Sequence, residues 1–99
     1  MNRILDLEPN NLAALSILCS VLRKEGSAED ALKRTEKHKF SGYGPLMTSR
    51  AAALCDLWRW EEAKRQLFYR NSRFSEEAYN VLGRIRNARP DLVEDRRNF

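Results

Sequence analysis

The 99-residue sequence holds one histidine, His38, and two cysteines, Cys19 and Cys55. One imidazole and two widely spaced thiols do not compose a four-ligand zinc set or a disulfide framework. Both cysteines are expected to be small buried fillers in a reducing compartment. Proline (three) and glycine (four) are scarce, so little interrupts helices. No apolar run approaches the ~18–20 residues a membrane span needs. The opening Met1–Glu8 is too short and too acidic for a signal peptide, which makes a cytoplasmic protein the default. A glycine-rich phosphate loop is absent, and His38 stands alone at a charged helix end. The Glu61-Glu62 and Glu76-Glu77 pairs are adjacent, so their members point to different sides of a helix and do not suit paired acid–base work. The expectation is a non-enzyme with no metal and no cofactor.

What is present is a single soluble domain's worth of material: 42% hydrophobic residues and 32% charged ones. Eighteen basic residues against fourteen acidic ones leave a net charge of +4. These charges are mostly interspersed and read as solvated helix faces.

Spacings of three and four predict a series of helices. Leu12, Leu15, Leu18, Cys19 and Leu22 give an apolar stripe over 11–25, with Asn10 or Asn11 as cap and Gly26 as stop. Ser27-Ala28-Glu29-Asp30 resembles a capping box and starts a helix running to about Lys39. Ser41-Gly42-Tyr43-Gly44-Pro45 is the clearest break, with Pro45 suited to a first helical turn. Helices then follow over about 45–57 and 60–70. Ser75 caps a fifth, with Ala78, Tyr79, Leu82 and Ile85 inward, and Pro90 stops it. Nothing reads as strand.

Three of these segments share a register. Leu15, Met47 and Tyr79 are 32 residues apart, as are Cys19, Ala51 and Gly83, and Leu22, Leu54 and Arg86; Ala31 and Ala63 repeat the step. A fixed period of this size means stacked supersecondary units. The closest copy, Ala78-Tyr79-Asn80-Val81-Leu82-Gly83, resembles the tetratricopeptide (TPR) family, whose helix–turn–helix unit carries W-x2-L-G-x2-Y, then A-x3-F, then P. The second copy runs Met47-x2-Arg50-Ala51-x2-Leu54 and on to Trp60, Ala63 and Leu67. The resemblance implies an all-α superhelix of antiparallel helix pairs with about five helices. It divides one domain, 1–99, into the end of a preceding unit (1–11), two repeats (12–43 and 44–75) and a partial third (76–99). Within each unit the small residues Cys19, Ala51 and Gly83 are expected to admit the partner helix. Arg50 departs from the pattern where leucine is expected, Thr35 where an aromatic is, and Asp95 where the packing alanine is.

The resemblance also implies a function: a protein–protein interaction scaffold whose concave groove is lined by the first helix of each unit. Carried over, the groove displays Ala13, Ser16, Ile17 and Ser20, then Thr48, Ser49 and Ala52, then Asn80, Arg84 and Asn87. Such a small-residue trough suits a peptide or a helix. A TPR subclass grips chaperone C-terminal carboxylates with basic and amide groups. The matching positions here are Ser16, Ser20, Ser49, Glu77 and Val81, which supply no positive charge, so no acidic chaperone tail is expected. Two further readings stand beside this one. The stretch 64–74 mixes four cations with three aromatics and no acid, the composition of a single-stranded RNA site. Alternatively, the chain is a structural subunit that extends a repeat stack, as a homo-oligomer or a fragment of a longer array. Of Trp58 and Trp60, one is expected to pack inward and the other to cover the seam between helices; an exposed tryptophan would be an interface anchor.

Overall fold

The computed structural model describes residues 11–71 and 73–93. The expectations for residues 1–10 and for Asp95 lie outside them. Five α-helices follow in order: α1 Leu12–Lys24, α2 Ala28–Thr35, α3 Gly44–Asp56, α4 Trp60–Phe68 and α5 Glu76–Ala88. No strand occurs among the described residues, and the fold is all-α.

Local sequence explains most of the boundaries. Asn11 Oδ1 accepts a hydrogen bond from Ala14 N at 3.0 Å, and Ser75 Oγ accepts one from Ala78 N at 3.1 Å, each satisfying a donor that the first turn leaves open. Pro45 sits in the first turn of α3. Ser27, by contrast, makes no side-chain cap, and the start of α2 carries the acids Glu29 and Asp30 against the helix dipole instead. Helix α2 also stops at Thr35 rather than near Lys39, and the chain tightens into a 3-10 turn over Glu36–His38. The Thr35 hydroxyl donates back to the Ala31 carbonyl at 2.8 Å, a bond that competes with regular helix. Helix α4 ends two residues before the expected Arg70, because Tyr69 is extended and Arg70 is left-handed with φ 53°.

The two helix–helix turns are copies of each other. After α1, Gly26 N donates to Arg23 O and Ser27 N to Leu22 O; after α3, Trp58 N donates to Cys55 O and Arg59 N to Leu54 O. Gly26 and Trp58 lie one 32-residue step apart and both are left-handed, with φ 80° and 63°. Glycine adopts that conformation freely, while tryptophan is strained there.

Pairings between helices fix their directions. Ser20 meets Ser49 and Arg23 meets Asp56, so α1 and α3 run the same way. Within the second pair, Arg59 bonds Leu54 at the turn while Gln66 reaches back to Arg50 and Met47, so α3 and α4 are antiparallel. Helix α3 is central and packs on α1, α2, α4 and α5.

The core follows the 32-residue spacing. Cys19, Ala31, Ala51 and Ala63 are fully buried at the helix crossings, and Leu46, Met47, Leu67 and Ile85 fill the space around them. At Gly83, the third residue of this register, a Cβ would meet nothing within 4 Å among the described residues, and the segment that its register pairs it with runs on beyond them. Trp60 packs against the core, as expected of one of the two tryptophans. Trp58 covers no seam, because its left-handed turn leaves the side chain 79% exposed.

Candidate binding groove and a buried arginine

Helices α1 and α3, side by side, leave a groove of about 350 Å³ walled by Ser16, Ile17, Ser20, Val21 and Ser49, with Glu77 of α5 at its edge. The hydroxyls of Ser20 and Ser49 are 3.1 Å apart and hydrogen-bonded across the helix seam. Ser16 Oγ donates to the Ala13 carbonyl at 2.8 Å, so its hydroxyl proton is already used. Ile17 stands 54% exposed on the wall and is the groove's apolar projection. Lys24 supplies a cation and Pro45 a rigid edge.

Three of the expected partner-binding residues, Ser16, Ser20 and Ser49, therefore converge with Glu77, although Ser16 is itself buried at 8% exposure. Thr48 and Ala52 are buried instead. Their helix, α3, packs on all four of the others, so these two positions, which line a trough in register terms, lie within the packing, while Ser49 stays at the groove. Val81 is buried too. Asn80, Arg84 and Asn87 are exposed on α5 and do not wall this groove. Arg84 Nη2 donates to Asp56 Oδ1 at 3.0 Å, while Arg23 Nε donates to Asp56 Oδ2 at 2.7 Å. One carboxylate thus ties α1, α3 and α5 together. Burial pushes the Asp56 carboxyl up, but the hydrogen bonds from Arg23 and Arg84 outweigh it and hold the group below its ordinary range.

Sequence reasoning marked Arg50 and Thr35 only as departures from a pattern. They are partners. Arg50 is 4% exposed inside the helix stack. Its Nη1 donates to Thr35 Oγ1 at 2.6 Å and to the Leu32 carbonyl at 2.9 Å, and its Nε donates to Gln66 Oε1 at 2.7 Å. Gln66 Nε2 continues the network to the Lys39 carbonyl at 2.9 Å. A short polar residue at 35 leaves space and an acceptor for the Arg50 guanidinium. Neither departure is intelligible alone, which is why single-position comparison with the pattern missed their link. Burial lowers the Arg50 pKa, opposed chiefly by the Glu36 carboxylate, whose Oε1 lies 3.4 Å from Nη2.

The stretch 64–74 places its aromatics against one another. Phe68 and Phe74 have ring centroids 5.0 Å apart, Phe74 and Tyr79 5.4 Å, and Tyr69 pairs with Phe40 at 5.2 Å. Leu67 is wholly buried, and Gln66 belongs to the arginine network. Arg65 lines a cleft between α2 and α4, whereas the Arg70 guanidinium lies 5.9 Å from the Tyr69 ring centroid.

Both thiols are buried, and burial raises each to about 11, with nearby arginines pulling the other way. Among the described residues no group of three or more His, Cys, Asp or Glu side chains could hold a metal ion, and no helix is long and apolar enough to cross a membrane. No protein-family model, curated protein or solved structure matches this chain.

Proposed function

We propose that the chain is a TPR-like helical-repeat scaffold that binds a peptide or a helix of another protein in the groove over α1 and α3. The observation that carries this reading is the groove's composition: an exposed Ile17 among small serines, on two parallel helices bonded to each other. Small residues let a partner backbone approach, Ile17 and Val21 offer apolar contact, and Lys24 and Glu77 set polarity at the margins. The parallel course of α1 and α3 and the identical turns at Gly26 and Trp58 support repeated helix pairs as the underlying unit. An acidic C-terminal tail is not the occupant in this reading, since Glu77 stands at the edge of the groove.

Selection from a random-peptide library tests it. Peptides with an apolar anchor should be enriched on the wild-type protein and lost on Ile17→Asp and Ser49→Arg, variants whose circular dichroism stays unchanged. Enriched peptides that bind all three proteins alike would place the site elsewhere. Single-stranded RNA retained more strongly than any peptide, and released by Arg65→Ala with Arg70→Ala, would favour the basic stretch instead.

A further inference from the structure

A second concavity lies on another face of the molecule. Helices α2 and α4 flank a cleft of about 520 Å³ whose floor includes Arg50, Gln66, Leu32 and Leu54. All four floor residues are buried, and the guanidinium there is nine-tenths enclosed. Its Nε and Nη1 donors are spent on neutral acceptors of the fold: Gln66, Leu32 and Thr35. Only Nη2 meets an anion, Glu36, at a loose 3.4 Å with a side chain 56% exposed. Good guanidinium–carboxylate contacts are about 2.7–2.9 Å. The same carboxylate is held more tightly by Lys39 Nζ, at 2.5 Å. Lys39 first, and Arg50 less strongly, keep the Glu36 carboxyl below its ordinary range despite slight burial. Among the described residues, the buried positive charge thus has one counter-anion, a half-exposed surface side chain that it shares with Lys39.

We propose that this cleft seats a phosphorylated side chain of a protein partner, its phosphoryl group taking the place of the Glu36 carboxylate between Arg50 Nη2 and Lys39 Nζ. Three features select that chemistry. First, the lining carries the cations Lys33, Lys39, Arg50, Arg59 and Arg65 against the carboxylates Glu29, Glu36 and Glu62; Arg59 is already paired with Glu62 and Glu29, so displacing Glu36 leaves Lys33, Lys39, Arg50 and Arg65 as a positive excess around the seat. Second, Glu36 is tethered and competes at high effective concentration. A second carboxylate brings no advantage over it, whereas a phosphoryl group brings close to two charges and three acceptor oxygens. Third, Phe40, 64% exposed, and Tyr69 form a tilted aromatic pair on the rim, which gives a residue flanking the phosphate a surface to pack on. Nucleic acid fits less well, because a continuous row of phosphates would pass Glu29 and Glu62 as well.

The test is a titration followed by amide NMR shifts. The probes are a short peptide with one phosphoserine beside phenylalanine, its serine and glutamate counterparts, and a single-stranded oligonucleotide. The phosphopeptide should shift signals of Glu36, Lys39 and Arg50, and the serine form should not. Glu36→Gln removes the tethered competitor and should tighten phosphopeptide binding by about fivefold, while Lys39→Ala should weaken it by a similar factor. Both substitutions are at the surface, and circular dichroism verifies that the fold is kept. The seat is refuted if the phosphopeptide shifts nothing, or if Glu36→Gln leaves affinity unchanged or lower. Equal binding of the glutamate peptide would refute the phosphoryl assignment. The oligonucleotide shifting the same signals at lower concentration would refute the protein partner.

Discussion

Trp58 gives the sharpest energetic test, because the structure holds a control for it 32 residues earlier. Gly26 and Trp58 make the same pair of backbone bonds at the same point of the turn, with φ 80° and 63°. Left-handed backbone costs an L-residue about 1–2 kcal/mol. Glycine avoids that cost but loses about 0.5–1 kcal/mol through the greater freedom of its unfolded chain. The side chain is 79% exposed, so its removal forfeits little apolar burial. Trp58→Gly is therefore expected to stabilise the fold by about 0.5–1 kcal/mol, or roughly 3–6 °C in a domain of this size. Trp58→Ala keeps the backbone strain and should stay within about 0.5 kcal/mol of wild type. Urea unfolding followed by circular dichroism separates the three proteins, and an unchanged denaturant slope assigns the difference to stability. A glycine variant no more stable than the alanine variant would show that the turn stores no strain. If both fall by more than about 1 kcal/mol, the indole is a structural part of the turn and the exposure argument fails.

The other predictions follow from the same contacts. Asp56 has a lowered carboxyl pKa, so its contribution to stability is full above the ordinary carboxylate value and is lost as pH falls through the lower folded value. Asp56→Asn should cost about 1–2 kcal/mol near neutrality and flatten the acid limb of a stability–pH curve; an unchanged limb would mean the Arg23–Asp56–Arg84 link is idle. Cys19 and Cys55, raised to about 11 by burial, should not react with a thiol reagent at mildly alkaline pH until the protein unfolds; fast labelling of the folded state would contradict the packing. Arg50→Ala removes the donor to buried Gln66 and opens a cavity, and should cost about 3 kcal/mol in chemical unfolding. Gly83→Ala, in the middle of α5 with no described residue within 4 Å of its Cβ, should gain about 0.5–1 kcal/mol; a loss would show that the close-packing role expected from its register is real.

Local signals carried far into this fold. Asn11, Ser75, Pro45 and Gly26 mark helix ends through chemistry within a few residues, and each acts at the position the sequence indicated. Errors arose where a longer-range interaction governed the chain. Thr35 ends α2 early because its hydroxyl serves Ala31 and, across the stack, Arg50. Phe68 closes α4 where the sequence expected two more residues. Of the expected groove, Ser16, Ser20 and Ser49 lie together, while Thr48 and Ala52 disappear into the packing of α3.

The sequence by itself determined the helical class, the number of helices and most of their starts, since apolar spacing and capping are encoded within one or two turns of chain. It also determined that α1 and α3 would carry equivalent residues. Only the tertiary structure decided that Arg50 meets Thr35, Gln66 and Glu36, because those partners lie 14 to 16 residues away in sequence and on different helices. Only the tertiary structure left a charged cleft between α2 and α4. Buried polar groups must be satisfied by whatever the packing brings near, and that proximity is a property of the assembled helices rather than of any segment.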